Sequence, residues 1–104
     1  MRYYVEITGK NFGFLGSGRA THPREVVRQS IEYVKLKKMG SSLNKYTIYV
    51  VNEHGEAWKF KAYKNVKDGK YIVKELQKTT LTKSDMVVIN KGAPLSDVID
   101  DNDR

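Results

Sequence analysis

The chain has no cysteine among its 104 residues. That absence removes disulfides, thiolate nucleophiles, CxxC redox chemistry and the usual structural zinc sites together, and a reducing cytoplasm is the setting that fits. Long apolar runs are missing as well. No segment approaches the ~20 residues that a membrane-spanning helix needs, and Met1-Arg2-Tyr3-Tyr4-Val5 lacks the apolar core of a signal peptide, so no membrane partner is expected. Histidine is scarce. His22 falls at an expected helix start and His54 at an expected hairpin tip, and local sequence sets no serine, carboxylate or second histidine beside either. No catalytic residue, metal-ligand set or cofactor is expected, and the chain reads as non-enzymatic.

What the chain does hold is charge, unevenly divided. Up to Asn90 there are 17 Lys or Arg against 8 Asp or Glu, after which Asp97, Asp100, Asp101 and Asp103 follow. A basic surface raises the local concentration of polyanions and speeds their encounter, so nucleic acid is the first candidate partner, with acidic protein surfaces and then anionic membranes behind it. Seven Tyr, three Phe and Trp58 supply too many aromatic groups for a disordered basic tail protein. Such a chain folds, and its length suits one domain.

The periodicities predict an α+β domain over residues 1–90 with the order β-α-β-β-β-β, one helix packed on a twisted antiparallel sheet of four to five strands. Arg2 to Thr8 alternates as a half-buried strand does. Gly9, Gly13, Gly16 and Gly18 then mark a loop with room for a short strand at Phe12 to Leu15. From Pro23 to Met39, Val26, Val27, Ile31 and Val34 fall on one helical stripe. Pro23 and Glu25 suit its start, while Lys35, Lys37, Lys38 and Gly40 suit its end.

Lys45–Asn52 and Glu56–Lys64 read as a hairpin whose register can be argued. A three-residue loop with Gly55 left-handed pairs Val50 with Trp58, Ile48 with Phe60 and Tyr46 with Ala62, all apolar. The two-residue alternative sets Val50 against Lys59 and Ile48 against Lys61, and is rejected. Asp68-Gly69 turns into a strand from Lys70 to Gln77, with Ile72 and Leu76 continuing the apolar face and Glu75 near Lys61. Met86 to Asn90 reads as a last short strand. Lys91-Gly92-Ala93-Pro94 breaks regular structure, so 91–104 reads as a flexible or loosely docked acidic tail. Such a tail either folds back on the basic face as a competing polyanion or keeps a basic protein soluble, the commoner role.

The accepted hairpin register leaves Lys45, Thr47, Tyr49, Lys59, Lys61 and Tyr63 on the face away from the core. Rings stack on unpaired bases and ammonium groups neutralise phosphates, so Tyr49, Lys59, Lys61 and Tyr63 form the leading site for RNA or single-stranded DNA, bound through its backbone with little base readout. Its plainer reading is an ordinary solvated sheet face. The stretch from Gly13 to Thr21 has two glycines at P-loop spacing, but Arg19 stands where lysine is needed and Ala20 where a hydroxyl is needed, so nucleotide hydrolysis is not expected. Arg19, His22 and Arg24 near the helix start can still hold one backbone phosphate. Arg24 and Arg28 are further auxiliaries, although Arg28 and Glu32 also make an i,i+4 pair that supports the helix. The competing expectation, from a different class, is an accessory protein or inhibitor, viral ones included, that docks on an acidic protein surface.

Overall fold

Alternation at the start of the chain sets the two faces on which everything else is arranged. A computed structural model describes residues 1–9, 12–36 and 45–101. Five strands, β1 (Arg2–Gly9), β2 (Phe12–Arg19), β3 (Lys45–Asn52), β4 (Glu56–Lys64) and β5 (Tyr71–Thr80), form one sheet. Its order is β2-β1-β3-β4-β5, with every neighbouring pair antiparallel. Helix α1 (Pro23–Leu36) follows β2, and α2 (Lys83–Asn90) and α3 (Leu95–Asp101) end the described chain. The class is α+β with an antiparallel sheet, as expected, but the described residues hold three helices where one was expected.

Tyr3, Val5 and Ile7 of β1 face the same side as Ile48 and Val50 of β3 and Trp58, Phe60 and Ala62 of β4. Val26, Val27, Ile31 and Val34 of α1 close this inner core. Burial of each such side chain contributes about 1.5–3 kcal/mol, which is why the helical stripe and the strand alternation must face each other. The β3–β4 register is the one argued from sequence: Val50 pairs with Trp58, Ile48 with Phe60 and Tyr46 with Ala62. Gly55 takes φ +84° in the turn. The buried Asn52 side chain accepts the N–H groups of His54 at 2.9 Å and Glu56 at 3.0 Å, which fixes the loop from inside.

The glycine-rich stretch is not a loop with a short strand but the eight-residue strand β2. Two of its glycines serve packing. A Cβ on Gly18 would lie 3.1 Å from Val26 Cγ2, and one on Gly16 would lie 2.9 Å from the Phe14 ring. Positive φ occurs instead at Gly55, Gly69 and Gly92. The helix expected to run to Met39 is described to Leu36, and its expected end at Lys37, Lys38 and Gly40 lies outside the described residues.

The end of the chain departs most from expectation. The strand expected at Met86–Asn90 is part of helix α2, because Thr82 and Asp85 form a reciprocal capping box that starts a helix there. Beyond it, where a flexible or loosely docked tail was expected from residue 91, α3 packs on the outer face of the sheet. Leu95, Val98 and Ile99 occur at i, i+3 and i+4 and are buried with Tyr49, Val51, Ala57, Leu81 and Ile89 in a second core. Glu6 fixes the position of α3. Its carboxylate, buried in β1, accepts the N–H groups of Leu95 at 2.8 Å and Ser96 at 3.4 Å, capping the new helix from the sheet. Residues 102–104 lie outside the described residues.

Candidate functional site

The outer face carries two different surfaces. One half, on β1, β3 and β4, lies under α3, and the other half is the run of β3, β4 and β5 toward Lys45, Tyr63 and Ile72.

Tyr49 belongs to the covered half. Its ring is buried, its hydroxyl donates to Asp100 Oδ2 at 2.9 Å, and burial is the main reason its ionisation is pushed well above the ordinary tyrosine range, with the Asp100 hydrogen bond next. Lys59 Nζ meets the other oxygen of the same carboxylate at 3.0 Å and lies 5.6 Å from the centre of the Tyr49 ring. Two of the four expected platform residues are therefore engaged inside the protein. Tyr49 has no open ring face for a base, and Lys59 has an anion already.

Lys61 and Tyr63 lie in the uncovered half. The turn through Asn65 and Lys70 sets the alignment of β5 on this half, with Lys61 opposite Lys74 and Glu75 opposite Phe60, and a register shift follows between Phe60 and Lys59. The expectation that Glu75 lies near Lys61 is thereby corrected. The same alignment turns Val73 into the core and leaves Ile72 exposed, and Leu76, skipped where the register shifts, is exposed as well, against the expected apolar face of that strand. Lys45 flanks Lys61 from β3, where it pairs with Tyr63.

Lys45 and, more weakly, Lys74 hold the Lys61 ammonium below the ordinary lysine range, because each neighbouring positive charge disfavours another. Among the described residues the ion pairs join Lys59 to Asp100 and Lys78 to Glu56, and neither involves Lys45, Lys61 or Lys74. Lys61 Nζ also lies 5.8 Å from the centre of the half-buried Tyr63 ring. The surrounding chain has the same sign. From Lys59 to Lys78 there are seven lysines and two acids, Asp68 and Glu75.

The arginines expected to assist are elsewhere. Arg24 Nη1 donates to the Val73 carbonyl at 2.7 Å and its guanidinium lies 5.8 Å from the Phe60 ring centre, so it covers the inner core. Arg24 and Arg28 line an open groove of about 920 Å³ between α1 and the inner sheet face, with Glu25, Glu32 and Glu75 along the same groove. Its charges oppose one another. Arg19 ends β2 opposite Arg2, on the far edge of the sheet from β5. Glu25 accepts the Thr21 hydroxyl at 3.0 Å, consistent with a helix-start role. Among the described residues, no three His, Asp or Glu side chains gather as a metal-ligand group, and no helix is long and apolar enough to cross a membrane.

Sequence reasoning missed Lys74 and Lys45 as partners of Lys61. The signal for Lys45 was present, since the hairpin register put it on the same face. Lys74 depended on the alignment set by the turn between β4 and β5, and the expected apolar face through Ile72 and Leu76 put the opposite set of β5 residues on the outer side. Comparison with protein family models, with curated proteins and with solved structures returns no match.

Proposed function

We propose that this protein is a small, non-enzymatic binder of single-stranded nucleic acid. The contact surface in this reading is the uncovered outer half of the sheet, with Lys61 at its centre, Lys45 and Lys74 beside it and Tyr63 as the available ring. The observation that carries the proposal is the convergence of three ammonium groups on one sheet face. Like charges directly opposite each other on neighbouring strands destabilise a sheet, and here no carboxylate among the described residues forms an ion pair with them. An arrangement that weakens the fold is accounted for when an external polyanion supplies the missing charge.

Single strands suit the shape better than duplex. A pleated surface with one ring amid lysines offers stacking and phosphate neutralisation, and the expected sequence preference is small. A cysteine-free chain suits a reducing cytoplasm, where such a partner is abundant.

Fluorescence anisotropy with a labelled single-stranded oligonucleotide tests this. Lys61→Glu combined with Lys74→Glu is expected to weaken binding at least roughly tenfold, the effect of removing about 1.4 kcal/mol of interaction. Arg24→Gln, on the other face, is expected to change it little. Recovery of one stoichiometric protein partner that resists nuclease, with no oligonucleotide binding, would favour an acidic protein surface as the ligand.

A further inference from the structure

The two edges of the sheet are built differently. Edge strand β5 carries Lys74 and Lys78 and pairs with β4 through an irregular register, features that discourage another strand from adding to it. Edge strand β2, Phe12–Arg19, is regular along β1 and bears a single charge, at its last residue. Leu15, in the middle of β2, is 67 % exposed.

We infer that β2 is a self-association edge, joining two copies of this chain into one continuous ten-stranded antiparallel sheet. The occupant is argued from the strand's own sequence. Antiparallel pairing centred on Leu15 sets Leu15 against Leu15 of the second copy, Phe14 against Gly16 and Gly13 against Ser17. Leucine meets leucine on the outer face. On the inner face each Phe14 stands opposite Gly16 of the other copy, over which that copy's own Phe14 ring lies, so the two rings come side by side. No charges oppose each other between positions 13 and 17, whereas β5 paired with itself would bring lysines together.

The helix layer agrees with this symmetry. A two-fold axis perpendicular to the sheet keeps both inner faces on one side and brings the two α1 helices alongside. Between α1 and β2 runs a groove of about 420 Å³, lined in part by Phe14, Gly16, Gly18, Gln29, Ser30 and Tyr33. Tyr33 is 50 % exposed and lies 5.5 Å from Phe14, ring centre to ring centre. In the pair, the groove of each copy faces the Tyr33 of the other. This inference does not rest on the proposed nucleic-acid site, which lies toward the opposite edge of the sheet.

Sedimentation equilibrium of the full chain at tens of micromolar, with three variants, tests it. The wild type is expected at twice the chain mass and Leu15→Lys at the chain mass, with an unchanged circular dichroism spectrum, since position 15 is solvent-facing in the single chain. Because the chain has no native cysteine, Leu15→Cys introduces a single thiol. Directly paired Cα atoms lie about 4.5–5.5 Å apart, within disulfide range, so Leu15→Cys is expected to crosslink under mild oxidation. Ser17→Cys is not, because the Leu15-centred register separates the two copies' residue 17 by roughly 13 Å. A wild type that stays at the chain mass, a dimer that survives Leu15→Lys, or Ser17→Cys crosslinking as readily as Leu15→Cys would each overturn the inference.

Discussion

The Tyr49 hydroxyl donates to Asp100 Oδ2 at 2.9 Å across 51 residues of sequence. With the Lys59–Asp100 ion pair at 3.0 Å, that contact divides the outer sheet face. On one side of it an acidic helix is built into the fold. On the other, Lys45, Lys61 and Lys74 are left with one another.

Helix α3 is structural, and Ile99 tests that directly. The side chain is fully buried between α3 and the sheet. Ile99→Ala is expected to lower unfolding free energy by about 2–5 kcal/mol, the usual range for such a truncation in a core. Urea titration measures it, and a change below about 0.5 kcal/mol would mean that the segment contributes nothing to the fold.

The Glu6 carboxylate ties α3 to β1 through two backbone N–H groups. Glu6→Ala leaves those donors at a helix start without their charged acceptor, and a loss of about 1.5–3 kcal/mol is expected. The same titration reads it. Hydrogen exchange adds a local check: the amides of Leu95 and Ser96 should lose protection in this variant, and unchanged protection would contradict the cap.

Gly55 occupies a turn that a side chain resists. Its φ is +84°, and a Cβ there would lie 3.2 Å from the Leu81 carbonyl oxygen. Gly55→Ala is expected to destabilise by at least about 1–2 kcal/mol through the left-handed backbone alone. A thermal midpoint equal to that of the wild type would show that the turn adopts another conformation.

Alkaline pH should weaken the fold through its buried tyrosines. Burial, with the Tyr71 hydroxyl adding to it, pushes Tyr46 from 10.0 up to about 12, and burial also raises Tyr49. A raised folded-state value means that the folded protein holds its phenolic protons longer than the unfolded chain. The resulting stabilisation is complete below pH 10, where unfolded tyrosine begins to ionise, and for Tyr46 it is lost as pH rises from there through about 12. Stability measured by urea titration across that window should decline, and less steeply in a Tyr46→Phe variant. A decline of the same slope in that variant would exclude Tyr46 as a source.

Much of the fold could be read from local pattern, and what escaped depended on distant contacts. The β3–β4 register follows from Val50, Ile48 and Tyr46 meeting apolar partners across a short loop, so neighbouring residues decide it. Helices α2 and α3 were marked only faintly. Thr82 and Asp85 have the spacing of a capping box, but Val87, Val88 and Ile89 are β-branched and favoured the strand reading. Leu95, Val98 and Ile99 make a helical stripe that the surrounding aspartates obscured. The burial of Tyr49 could not be read at all, because Asp100 reaches it from the other end of the chain. Of the expected site, Lys61 and Tyr63 stay on the uncovered half of the face, Lys59 and Tyr49 are engaged with Asp100, and Arg24 and Arg28 border the inner groove across the sheet.

The most direct test of the central claim is the salt dependence of single-stranded oligonucleotide binding, compared between the wild type and the Lys61→Glu, Lys74→Glu double variant. Each phosphate neutralised contributes a slope of about −0.7 in log affinity against log salt, so three lysines acting together should give about −2. The double variant should have a much shallower slope or no measurable binding while keeping its fold. Binding that ignores salt, or a slope unchanged by the double substitution, would contradict the assignment of this lysine face.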